Sequence, residues 1–157
     1  MTSLTLVRRI AARPSIVFEA LTTAEGIAAW WGPDELPVLS AELDARVGGA
    51  YRVRFQTLDG QEHEAFGEYL EVDPPRRVAM SWNYAFGGEP AEAGRTSRIE
   101  FDVRPIDGGA ELTLTHTRLA DEASRASHAR GWTGSLAKLV GRLGALTAPA
   151  QAPTDPQ

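Results

Sequence analysis

Apolar and polar positions alternate with a period of two along most of the chain, and the period lengthens to three or four near each end. Asp121 to Leu146 reads as a single long helix, the longest of these stripes. There Trp132, Leu136, Leu139, Val140 and Leu143 recur at helical steps, while Arg125, Arg130, Lys138 and Arg142 form the opposite, solvated face. Asp121 suits an N-cap, and Glu122 falls in the first turn, where the unpaired backbone donors and helix dipole favour negative charge. Gly131 and Gly134 each cost a helix interior about 1 kcal/mol relative to alanine. They mark a close approach of backbone or of a bulky group, or they are simply tolerated beside Trp132.

Upstream, Leu4 to Ile10 reads as a first strand. Pro14 opens a short helix carrying Ile16, Val17, Ala20 and Leu21, and the capping-box spacing of Thr22 and Glu25 starts a second, which Gly32 and Pro33 end after Trp30 and Trp31. About six strands follow. Leu39 to Leu43 is weak; Tyr51, Val53 and Phe55 oppose Arg52 and Arg54; Asp59-Gly60 turns the chain back through His63 to Val72, where Tyr69, Leu70 and Val72 break alternation in the manner of a bulge. Pro74 and Pro75 stop that strand. Arg77 to Tyr84 then places Val78, Met80, Trp82 and Tyr84 on one face. Ala85 to Arg95 has no period and reads as a long, mobile hairpin loop. Arg98 to Arg104 and a last strand with Leu112, Leu114 and His116 on one face complete the set, joined by Asp107-Gly108. This order predicts an α+β fold in which the long terminal helix covers the apolar face of an antiparallel meander and leaves a gap lined by aromatic residues. Residues 1–146 form one domain, and Thr147 to Gln157, with three prolines and no large apolar residue, read as a disordered tail.

Composition narrows the classes of function. A chain of 157 residues with ordinary apolar content supports one core without staples, and the absence of cysteine excludes disulfides and thiol catalysis. Arg8 and Arg9 interrupt the short apolar N-terminal stretch, and no later run could span a bilayer, so a cytoplasmic location without membrane insertion is expected. A formal net charge of −5 with scattered arginines argues against nucleic acid as a partner.

The candidate chemistry is aromatic and imidazole-based. Trp31, Tyr51, Phe66, Met80, Trp82, Tyr84, Trp132 and Leu136 are expected to line a pocket for a small apolar or aromatic molecule, with His116 and His128 as polar anchors. His128 and Trp132 share one helical face. Against a ligand role stands the ordinary alternative of core aromatics and satisfied buried histidines. No spacing suits a metal or a cofactor, since His63-Glu64 lacks the second histidine of a zincin motif and the glycine pairs are not followed by phosphate-loop residues. Gly134-Ser135 lies within a helix, not at a strand end, so no nucleophile elbow exists. Glu68 or Glu71 could serve as an acid or base if one pointed into an apolar cavity, which would raise its pKa.

Four stretches carry a family resemblance: Ala28-Ala29-Trp30-Trp31-Gly32; Val47-Gly48-Gly49 before a strand; Gly67 through Arg77, reading GEYLEVDPPRR; and Leu112 through Thr117, reading LTLTHT, followed by Gly131-Trp132. Their order resembles the family named for activators of a heat-shock protein ATPase, within the START and pollen-allergen-like (SRPBCC) superfamily, over nearly the whole chain to about Leu146. The resemblance implies a helix-grip fold, a curved antiparallel sheet wrapped around a long C-terminal helix and enclosing an apolar cavity, with two short helices after the first strand. It leaves three functions open: a non-catalytic binder of a small hydrophobic ligand, a polyketide-cyclase-like enzyme in which a histidine, tyrosine or carboxylate moves a proton, and a heat-shock cochaperone-like domain with a chaperone partner. The first is the leading expectation, and the stand-alone arrangement lowers the third.

Overall fold

The two periodicities become two layers. In the computed structural model, which describes residues 2–146, seven strands form one antiparallel sheet: β1 (Thr2–Ile10), β2 (Ser40–Leu43), β3 (Ala50–Gln56), β4 (Glu62–Asp73), β5 (Arg77–Phe86), β6 (Ser97–Ile106) and β7 (Gly109–Leu119). Their order across the sheet is β1-β7-β6-β5-β4-β3-β2. Consecutive strands from β2 to β7 are hairpin neighbours, and β1 closes against β7. Three helices cover the inner face: α1 (Pro14–Thr22), α2 (Ala24–Trp30) and α3 (Glu122–Leu143). This is the α+β helix-grip arrangement, a curved antiparallel sheet holding a long C-terminal helix. The tail from Thr147 lies outside the described residues. Among the described residues no helix is long and apolar enough to cross a membrane.

Local sequence explains the element ends. Pro14 occupies the first turn of α1, where its missing N–H is not needed. The cap of α2 is Thr23, whose Oγ1 accepts from the Gly26 N–H at 3.0 Å; Thr22 instead donates to the Phe18 carbonyl, so the helix is capped one residue later than the Thr22-Glu25 spacing suggests and, with glycine at the third position, by a single bond and not a capping box. Asp121 caps α3 by accepting from the Ser124 N–H at 2.8 Å. At the far end, Ala11 N–H donates to Gly144 O at 2.9 Å, tying the exit of α3 to the end of β1.

Alternation on β5, β6 and β7 buries Val78, Met80 and Trp82, Ile99, Phe101 and Val103, and Leu112, Leu114 and His116 beneath the helices. β4 carries two irregularities, between Glu64 and Ala65 and between Tyr69 and Glu71, the second at the position where alternation fails in the sequence. The outer face of the sheet is ionic. Glu71 lies there between Arg77 and Arg98, at 2.9 and 2.7 Å, and these guanidinium groups hold its carboxyl below the usual range. Glu68 is exposed on the same sheet. Neither glutamate enters an apolar cavity, because the bulge leaves Tyr69 as the inward residue between them.

Candidate functional site

Where α3 crosses the sheet beside β3, β4 and β5, the layers part into a half-open cleft of about 150 Å³. Trp31, Phe55, Trp82, Tyr84, His128 and Trp132 supply its aromatic wall, with His63, Glu89 and Ser127 among its polar edges. Trp31 and Trp82 stack with centroids 5.5 Å apart, and Trp132 meets both edge-on at 5.4 Å. Such offset and edge-to-face contacts match positive ring edges with negative faces, which fixes the wall in shape.

Of the ten residues that sequence reasoning put at a pocket, the structure brings Trp31, Trp82, Tyr84, His128 and Trp132 to this cleft. Tyr51, Met80 and Leu136 are buried in the core, where Tyr51 donates its hydroxyl proton to Ser81 O at 2.6 Å. His116 sits one layer deeper, fully buried. Phe66 is on the outer face, under the Arg52 guanidinium at 5.3 Å, because it pairs with Arg52 across β3 and β4 and shares that side of the pleat.

A chain of polar contacts runs beneath the aromatic wall. Trp132 Nε1–H donates to His116 Nδ1 at 3.0 Å, so His116 carries its proton on Nε2, which donates to Ser97 Oγ at 2.8 Å. Burial, and then the proximity of His128, push the His116 pKa well below its ordinary value, and the ring is neutral. The His128 ring lies 4.3 Å from that of His116. Its Nε2 is 2.7 Å from Glu92 Oε1, and both residues are buried. Glu92 belongs to a short 3-10 turn, Pro90–Glu92, inside the segment between β5 and β6. That segment is therefore not the patternless loop its composition suggests: Pro90 opens the turn, and the turn carries a carboxylate into the interior. No signal within residues 85–95 distinguishes Glu92 from Glu89, the other acidic residue of the segment, which is half-buried at the cleft edge.

His63 fastens the same segment from the other side. Its ring stacks on Phe55 at 5.2 Å, and its Nδ1 accepts from the Gly88 N–H at 3.1 Å. Gly88 has φ of 76°, a conformation that suits glycine, and lies against the Tyr84 ring. Tyr84 is held protonated by burial and then by nearby Glu92. The Trp82 indole N–H approaches the Tyr84 hydroxyl without full hydrogen-bond geometry and has no other partner among the described residues.

The other wall is strapped to α3. Ser135 Oγ donates to Gly32 O at 2.9 Å, and Lys138 Nζ donates to Trp31 O at 3.1 Å and to Asp34 O at 2.7 Å. Lys138 is thus half-buried and not part of a solvated face, since the carbonyls leaving α2 need donors. The two helix glycines separate here. A Cβ at Gly134 would collide with the Pro33 carbonyl oxygen, whereas a Cβ at Gly131 would meet nothing within 4 Å, and Gly131 lines the cleft. Gly131→Ala is expected to raise stability by about 0.5–1 kcal/mol, and Gly134→Ala to lower it by about 1–3 kcal/mol. Urea titration of the two variants checks the opposite signs.

An antiparallel sheet gripping a terminal helix, with a cleft between the two, defines a helix-grip protein. The model of the family described as activator of Hsp90 ATPase homolog 1-like protein matches residues 11–144. The chain belongs to this family. It is similar to the crystal structure of the AHSA1 protein from Silicibacter pomeroyi, with 31% identity and a TM-score of 0.78, covering 90% of this chain and 97% of that one. A protein from Chromobacterium violaceum is similar at 25% identity and a TM-score of 0.76, covering 91% of this chain and 98% of that one. Comparison with curated proteins gives no match.

Proposed function

We propose that the protein binds a small, single-ring aromatic molecule bearing one hydrogen-bonding group, held in the cleft between α3 and the sheet. The observation that carries this reading is the coincidence of three tryptophans with His128 around a space of about 150 Å³, the volume of an apolar cavity that takes up benzene. The cleft is too small for the elongated ligands that the aromatic content alone would allow. A ligand of about seven to ten non-hydrogen atoms, its ring in the cleft and its substituent at the open side, reaches at most about 10–15 kcal/mol, so dissociation constants from micromolar to millimolar, about −8 to −4 kcal/mol, are expected.

Phenol and toluene, equal in size, test the reading by tryptophan fluorescence. Phenol is expected to bind saturably and more tightly than toluene. His128→Leu should remove that difference, because only phenol loses a hydrogen bond, and Gly131→Leu should weaken both by filling the cleft. If neither these nor other single-ring compounds give a saturable change, and a reporter dye is not displaced, a surface interaction with a chaperone becomes the better account.

A further inference from the structure

Binding alone gives no use to a buried carboxylate set behind His128, one of the two imidazoles that line the cleft. Glu92 engages only Nε2 of His128, and Nδ1 makes no hydrogen bond among the described residues. With the Glu92 carboxylate accepting from Nε2–H, Nδ1 is the ring atom left to face a bound molecule as an acceptor. A carboxylate on the far nitrogen both fixes the ring and stabilises the imidazolium formed when the near nitrogen takes a proton. Tyr84 stands beside this ring, near-parallel at 25° and 5.9 Å between centroids. Its hydroxyl is a permanent donor, and the unpartnered Trp82 N–H lies beside it. One end of the cleft therefore holds a base and a proton donor together.

We propose that this end of the cleft catalyses proton transfer at the carbon next to the carbonyl of a small, uncharged aryl ketone, with His128 as the catalytic base and Glu92 as its positioning residue. The inference rests on the binding function proposed above. His128 Nδ1 removes the α-proton; the C–H electron pair moves into the C–C bond and the carbonyl pair onto oxygen; the enolate oxygen accepts from Tyr84 O–H. The imidazolium at the half-open cleft exchanges its Nδ1 proton with solvent and then delivers a solvent-derived proton to carbon, or to oxygen as the enol, so the cycle needs no oxidant, reductant or second substrate. Glu89 at the rim and Glu92 behind the ring disfavour anionic substrates.

Phenylacetone in deuterated buffer is the probe, with its methylene signal followed by proton NMR and its binding by tryptophan fluorescence. The expected result is saturable loss of the signal on the order of a hundredfold faster than in buffer. His128→Gln should return the rate to the buffer value while phenylacetone still gives a saturable, if weaker, fluorescence change. Glu92→Gln keeps an acceptor for Nε2–H but not the charge, and should lower the maximal rate on the order of tenfold while leaving the dissociation constant unchanged, a split that a purely structural role would not give. Binding without exchange above buffer, or unaltered exchange in His128→Gln, overturns the proposal and leaves the binding function standing. Failure of phenylacetone to bind while phenol binds overturns the ketone assignment, and failure of every compound to bind overturns both. The wild-type exchange measurement decides the matter even if either variant fails to fold.

Discussion

Replacing Trp132 by alanine is expected to destabilise the protein by about 3–5 kcal/mol, a fall in melting temperature of roughly 6–20 °C for a chain of this size. The residue lines the cleft, and a side chain beside open space would ordinarily be cheap to remove. Trp132 is nevertheless only 4% exposed. Its ring lies 5.4 to 6.3 Å from those of Trp30, Trp31, Trp82 and Phe101, so truncation strips four aromatic neighbours at once. It also leaves His116 Nδ1 without its donor in a fully buried place, a further loss of about 1–3 kcal/mol if no water enters. Leu139→Ala, further along the same stripe and fully buried, is the comparison for plain core, expected at about 2–5 kcal/mol. Trp132→Phe separates the two contributions, since it keeps most of the ring contact and discards the N–H. Urea unfolding of the three variants is the measurement. A loss below about 2 kcal/mol for Trp132→Ala would show that the indole is a cleft wall and not a tie between layers.

Mild acid is expected to unfold the protein through His116. In the unfolded chain this imidazole titrates near 6.5. In the fold, burial and the neighbouring His128 hold its pKa well below that value, and its Nδ1 is occupied as an acceptor. Above about pH 6.5 both states are neutral at this site and stability is flat. Below it the unfolded state takes up a proton that the folded state refuses, and stability falls by about 1.4 kcal/mol per pH unit. His63, lowered by burial against a smaller opposing effect of Asp59, acts in the same direction. Glu71, Glu100 and Glu111 are held low chiefly by arginine neighbours, and their stabilising contribution is lost only as pH falls below about 4.3, outside the histidine window. Urea titrations between pH 5 and 7 should therefore show a falling midpoint, with the slope reduced by about one proton in His116→Gln. An unchanged slope in that variant would assign the acid sensitivity to other groups.

Those two residues also show what a linear reading of the chain reaches. Trp132 and His128 are four apart on a helix, and His116 shares a strand face with Leu112 and Leu114, so their inward direction follows from periodicity. Periodicity works there because each element is buried on one side only. It cannot say which inward residues touch, and the bonds from Trp132 to His116 and from His116 to Ser97 join three elements. Phe66 escaped for a related reason: parity counted back across the bulge from Val72 puts it on the inner face, whereas its place three residues before inward Tyr69 and its pairing with Arg52 put it on the outer one, and only the pairing register decides. Lys138 looked solvated because charge on a helix normally faces water, whereas here two carbonyls leaving α2 draw it inward. Glu92 was illegible altogether. Its burial depends on one long-range partner, and nothing nearby in sequence repeats.

The placement of Glu92 has a consequence for how this architecture diversifies. The carboxylate arrives on a connection whose two flanks are anchored independently, β5 to β4 through Tyr84 and Ala65, and β5 to β6 through Trp82 and Ser97. Exchanging residues 87–96 as a cassette between related chains would change the group behind His128 and the rim at Glu89 without disturbing a single strand pair. The opposite wall offers no such freedom, since Gly134, Ser135 and Lys138 of α3 all meet the backbone that follows Trp31. The wall of the cleft is thus exchangeable on one side and tied to the core on the other, and a library built to reshape it belongs in that ten-residue cassette.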